Sequence, residues 1–194
     1  MSVRATRGGY LFASDGTRVN EADILRNATD STGAQIAMDE VHAFVNRGIV
    51  YDLTAKIALP ASATIYLTGV TNGAVVHFIR ENYSADIGGI EFRLLEDVVF
   101  TGGTLMSPKN RNRTSNNTAT LEVRSGSTVT DTGTELYLVG IPDATSPFGR
   151  VAQAGADEVP WLLASATNYA IEIKNLTADA KTVYAELSWY EITT

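Results

Sequence analysis

The sequence predicts an all-β protein: an antiparallel, jelly-roll-like β-sandwich preceded by an N-terminal arm with short helices. Three observations carry this. After residue 48, apolar and polar residues alternate with a period of two in five separate stretches, as they do in strands with one buried and one wet face. Turn residues separate these stretches at intervals of about ten positions, the spacing of sandwiches. Helix-like signals are confined to the residues before Asn46-Arg47-Gly48.

Residues 1–47 form the arm. Gly8-Gly9 and Asp15-Gly16 place turns within its first 19 residues. Asn20 is a suitable N-cap, with Asp23 three positions on, for a short helix over Glu21 to Asn27. A second helix is expected over Gln35 to Asn46, where Ile36, Val41, Phe44 and Val45 can share a face.

Residues 48–194 form the sandwich. In the first strand Tyr51, Leu53, Ala55, Ile57 and Leu59 alternate with Asp52, Thr54, Lys56 and Ala58. The pattern returns with Ile90, Phe92 and Leu94, with Ala119, Leu121 and Val123, and with Tyr169, Ile171 and Ile173. It returns last with Val183, Ala185, Leu187 and Trp189, set against Tyr184, Glu186 and Ser188. Less regular apolar runs at Thr64 to Val70, Val75 to Ile79 and Glu135 to Ile141 supply further strands. Asn72-Gly73 between two such runs predicts a hairpin, because a type I′ turn needs positive φ at both central positions. Gly102-Gly103, Gly126 and Gly133 are read as turns, and Ile141 to Pro160 as a long loop.

Composition narrows the function. The 194 residues carry a net charge of −7 and no cysteine, which removes disulfide scaffolds, zinc knuckles and thiol catalysis. The acidic balance opposes general binding to nucleic acid, which depends on neutralising phosphates. No run reaches the roughly 18 apolar residues of a membrane span, and no signal peptide is read at the start, so synthesis in the cytoplasm is expected. His42 and His77 have no metal-ligand spacing, and the neighbouring acids Asp39-Glu40, Glu96-Asp97 and Asp157-Glu158 would point to opposite faces of a strand. The reading is therefore non-catalytic, without cofactor or metal.

Three features remain. Glu96 lies on the inward parity of Ile90, Phe92 and Leu94, where a carboxylate must be paired unless it ends the strand and reaches water. Arg111 and Arg113 offer the partner if it is paired. With Lys109 they make a basic cluster, Lys109-Asn110-Arg111-Asn112-Arg113, which is either a solvated loop or a grip on a phosphate or an acidic protein surface. In the arm, Arg4 and Arg7 precede Tyr10 and Phe12. Such a segment is disordered or ordered by a partner, and its aromatic residues favour the partner.

Phe92-Arg-Leu-Leu-Glu96, Gly102-Gly103-Thr104, Asn110-Arg-Asn-Arg113, Gly133-Thr134, Trp161-Leu-Leu163, Asn168-Tyr169 and Trp189-Tyr-Glu191 follow one another in an order that resembles small virion proteins of tailed bacteriophages. Asp15-Gly-Thr17 and Ala22-Asp-Ile-Leu25 are similar to openings found among them. The resemblance implies a head decoration, or cement, protein on the outer capsid surface, with the major capsid protein as its partner. Arg4, Arg7, Tyr10, Phe12, Lys109, Arg111 and Arg113 are the expected contacts. A homo-oligomer is expected, trimer before dimer, with no direct contact to nucleic acid or membrane. The alternative is a tail-associated receptor- or carbohydrate-binding module using Tyr66, Tyr83, Trp161 or Tyr190 as sugar platforms.

Overall fold

The structure, a computed structural model, describes residues 3–5, 11–13, 28–29, 35–36, 40–86, 88–143, 150–154 and 161–192. The chain divides into two compact units, Met1–Gly48 and Ile49–Thr194.

Among its described residues the first unit holds two antiparallel strand pairs, β1 (Val3–Ala5) with β2 (Leu11–Ala13) and β3 (Ala28–Thr29) with β4 (Gln35–Ile36), and the helix α1 (Glu40–Arg47). The helix expected over Gln35 to Asn46 is thus shorter at its start, because Gln35 and Ile36 give their backbone to a strand pair. It ends where Gly48 takes φ 68° and donates its N–H to the carbonyl of Val45. The helix expected over Glu21 to Asn27 lies outside the described residues.

The second unit is an antiparallel sandwich of two sheets. Its strands are β5 (Val50–Leu59), β6 (Thr64–Val70), β7 (Val75–Ala85), β8 (Ile90–Glu96), β9 (Val99–Leu105), β10 (Lys109–Asn110), β11 (Glu122–Asp131), β12 (Thr134–Ile141), β13 (Arg150–Ala154), β14 (Trp161–Leu163), β15 (Asn168–Asn175) and β16 (Lys181–Ile192). One sheet runs β10-β5-β16-β7-β13, with β14 also on β7; the other runs β12-β8-β15-β6-β11-β9. With β9 to β11 set aside as one insertion, the sheets read β5-β16-β7-β13/β14 and β6-β15-β8-β12. That is the strand order of the double-sheet jelly roll. The core lies between them, with Tyr83 of β7 stacked on Phe92 of β8 at 4.1 Å.

Four local expectations are corrected by long-range pairing. Asn72-Gly73 does not close a hairpin: β6 and β7 belong to different sheets. The backbone of Thr71 bonds instead to the loop after β14, its N–H to Thr167 and its carbonyl to the N–H of Ala166. Gly102-Gly103 and Gly126 lie inside the paired strands β9 and β11, not at turns. The stretch Ile141 to Pro160 contains β13, paired along β7. Ala119 and Leu121 precede the ladder, which begins at Glu122, since the N–H groups of Thr120 and Leu121 go to a side chain described below.

The insertion reshapes the second sheet. Only Asp97 and Val98 join β8 to β9, yet β15, β6 and β11 stand between these strands in the sheet. Two linking residues span about 11 Å between the flanking Cα atoms at most, so the sheet must curl. Its outer side closes on a small second core of Leu95, Val98 and Ala170, with Tyr66 and Phe100 packed on it. Thr68 and Ser127 share a hydroxyl hydrogen bond of 2.7 Å across β6 and β11. The bend uses left-handed backbone at Asp97 (φ 60°) and Gly133 (φ 56°), and a Cβ on Gly133 would collide with the backbone of Glu96 and Asp97.

Candidate functional site

The basic segment 109–113 sits at one edge of the first sheet, where β10 pairs with Tyr51 and Asp52 of β5. Arg111 is engaged there through Nε and Nη2. Its Nε and Nη2 donate to the two carboxylate oxygens of Asp52 at 2.7 and 2.8 Å, and Nη2 also donates to Ser188 Oγ at 3.1 Å. Ser188 in turn donates to Asp52 at 2.6 Å. The hydrogen bonds to Asp52 push the Arg111 guanidinium further up from its ordinary range.

This arrangement corrects the expected contact of Glu96 with Arg111 or Arg113. Glu96 ends β8 and accepts a 2.6 Å hydrogen bond from the Tyr169 hydroxyl, which itself accepts from the N–H of Ala164. Burial, and next the bond to Glu96, raise the Tyr169 hydroxyl well above its ordinary pKa. Arg113 is exposed, with one long bond of 3.4 Å from its Nη1 to the carbonyl of Asn110. Forked hydrogen bonding favours the carboxylate that Arg111 can meet in plane, and on β5 that is Asp52.

Since Arg111 serves the fold, the expected outward-facing cations of the segment reduce to Lys109 and Arg113. Both are exposed. The turn carrying them is braced from within: Asn110 Oδ1 accepts from the N–H of Asn112, and Asn112 Oδ1 accepts from the N–H and hydroxyl of Thr114. Further along the insertion, Glu191 of β16 is buried and holds residues 120–121. Its Oε2 accepts from the N–H and hydroxyl of Thr120, and its Oε1 from the N–H of Leu121 and from Trp189 Nε1, all within 2.7 to 3.0 Å. Trp189-Tyr-Glu191 was legible only as a strand; no nearby residue signals that its carboxylate caps a segment 70 positions away.

A double-mutant cycle of Asp52→Asn with Arg111→Gln, followed by urea denaturation, is expected to give a coupling of about 1–3 kcal/mol, the range of a charge-assisted contact. Glu96→Gln with Arg113→Gln is expected to be additive.

In the arm, Arg4 lies opposite Phe12 in the β1–β2 register. Arg7 and Tyr10 lie outside the described residues. Of the four aromatic platforms considered, Tyr83 and Tyr190 are buried, Tyr66 donates to Glu172 Oε2 at 3.0 Å, and Trp161 stacks on Tyr137. Burial, then the bond to Glu172, push the Tyr66 hydroxyl up to about 12. His77 stacks on Tyr190 at 4.3 Å, and burial lowers its pKa from the ordinary imidazole value. His42 is exposed on α1. Among the described residues no group of three or more His, Asp or Glu is placed to hold a metal ion, and no helix is long and apolar enough to cross a membrane.

Comparison with protein-family models, curated proteins and solved structures found no match to this chain.

Proposed function

We propose that this chain is a structural protein of a tailed-bacteriophage virion that decorates the outer capsid surface and stabilises the shell by bridging major capsid subunits. The observation that carries this reading is the braced basic turn. Arg111 and Glu191 fasten the insertion to the sandwich, so the backbone that carries Lys109 and Arg113 has little freedom left to lose on docking. Cations carried on a braced backbone suit an acidic protein surface, and the net negative charge of the chain opposes binding to nucleic acid. The resemblance noted in the sequence supports the virion assignment, and the jelly roll supports it by fold-level analogy with viral capsid domains.

Several weak contacts per assembly would act together through avidity, with a trimer favoured over a dimer at a symmetry axis of the shell. Arg4, Arg7, Tyr10 and Phe12 supply a second contact from the arm. The tail-associated module is less favoured, because two of its four sugar platforms are buried.

The test is co-sedimentation of the full chain with undecorated phage heads. Lys109→Glu with Arg113→Glu is expected to weaken binding at least about tenfold, to reduce its salt dependence and to abolish the gain in heat resistance of the heads. Arg4→Glu with Arg7→Glu is expected to act in the same direction. Wild-type decoration by both double variants would remove the reading.

A further inference from the structure

The outer face of the first sheet carries a depression of about 540 Å³ across its central strands. Strand register sets its floor. Lys56 of β5, Tyr184 of β16 and Ser84 of β7 lie in one row, and Thr54, Glu186 and Asn82 of the same strands lie in the next. All six point away from the core, because their neighbours Ala55, Tyr83 and Ala185 face inward and alternate residues share a face.

The geometry points to an oligosaccharide-binding site in this depression, separate from the basic turn and from the aromatic residues considered above. Tyr184 is 47% exposed on the central strand of the sheet. The Lys56 ammonium lies over one face of its ring, 5.9 Å from the centroid, so a sugar stacks on that face only where the lysine moves aside. Beside it the Asn82 amide reaches Glu186 Oε2 at 3.5 Å, and Thr54 and Ser84 add two hydroxyls. A sugar ring presents a face of polarised C–H bonds, which suits the electron-rich face of an aromatic ring, and a rim of hydroxyls that need donors and acceptors close together. This floor supplies both.

Other occupants fit less well. One ammonium and one carboxylate cancel, so the site has no pull on a polyanion. A single aromatic among polar groups offers no stripe for an amphipathic helix. The volume lies in the usual range of small-ligand sites, roughly 300–1,000 Å³. Tyr184 falls on the outward parity of its strand in the sequence itself, but its companions come from strands about a hundred residues away and become visible only in the register.

The test is a titration of the full-length, isotope-labelled protein with maltotriose, cellotriose, chitotriose and mannotriose, followed residue by residue by NMR. At least one is expected to give saturable shifts confined to the amides of residues 54–56, 82–84 and 184–186. Tyr184→Ala is expected to weaken that binding at least tenfold and Glu186→Gln several-fold. The melting temperature should stay unchanged, since both side chains are exposed. Absence of saturable binding by all four sugars, or binding left intact by Tyr184→Ala, would overturn the assignment. Head binding by the Lys109 and Arg113 variants is a separate readout, so either reading can fail alone.

Discussion

Trp189→Ala is expected to lower the stability of the sandwich by about 3–5 kcal/mol, the range for removing a buried tryptophan from a core. Trp189 is completely buried on β16, the strand held between β5 and β7. Its ring centroid lies 6.0 Å from that of Tyr51 and 6.5 Å from that of Phe78, so truncation empties space that aromatic neighbours on both flanking strands line. The indole N–H also donates to Glu191 Oε1 at 2.9 Å. Its loss takes one of four donors from a buried carboxylate, and so loosens the hold on residues 120–121. Urea denaturation followed by circular dichroism measures the change. Trp161→Ala is the control, because Trp161 is 39% exposed on the short strand β14 and is expected to cost less. A denaturation midpoint unchanged by Trp189→Ala would take this residue out of the core.

The period-two pattern made the central strands legible because apolar and polar residues alternate along them, even on β15, where the outward Ala170 and Glu172 are buried. That contrast places Leu53, Phe92, Ile171 and Leu187 inward, and all four are buried. Local turn signals were less informative, because a backbone group bonds to whatever partner the whole fold brings to it. Asn72-Gly73 has the composition of a hairpin, yet Thr71 is occupied by Ala166 and Thr167. Gly103 and Gly126 adopt positive φ inside strands, where the curl of the second sheet needs it, so their conformational freedom was legible and their location was not. Polar partners were the least legible. The phase of Glu96 and the cationic character of Arg111 could be read directly, but Tyr169 lies 73 residues from the first and Asp52 lies 59 from the second. Nearness in sequence favoured an arginine for the glutamate, whose partner is the Tyr169 hydroxyl. The strand expected at Val75 to Ile79 was cut short at Arg80-Glu81-Asn82, a polar run that hides a core position.

That core position carries the second large effect: between about pH 4.5 and pH 8 the fold is expected to lose stability as pH rises, and Glu81→Gln is expected to remove that loss. Glu81 lies on β7, 2% exposed, on the same inward face as Tyr83 two residues on. The Tyr83 hydroxyl donates to Glu81 Oε2 at 2.6 Å. Burial pushes the Glu81 carboxyl up from 4.5 to about 8, and the hydrogen bond from Tyr83 opposes this more weakly. The folded state therefore keeps the proton through a window in which the unfolded chain has released it. Stability from this group is complete below the unfolded value and is lost as pH rises through the folded one. At about 1.36 kcal/mol per pH unit, the full window corresponds to roughly 4–5 kcal/mol. Glutamine keeps an acceptor for Tyr83 and cannot ionise. Urea midpoints of the two proteins should nearly coincide at pH 4.5 and separate progressively, with the Glu81→Gln variant more stable at pH 9. Parallel curves across that range would mean that folding does not raise the Glu81 carboxyl, and would overturn the prediction.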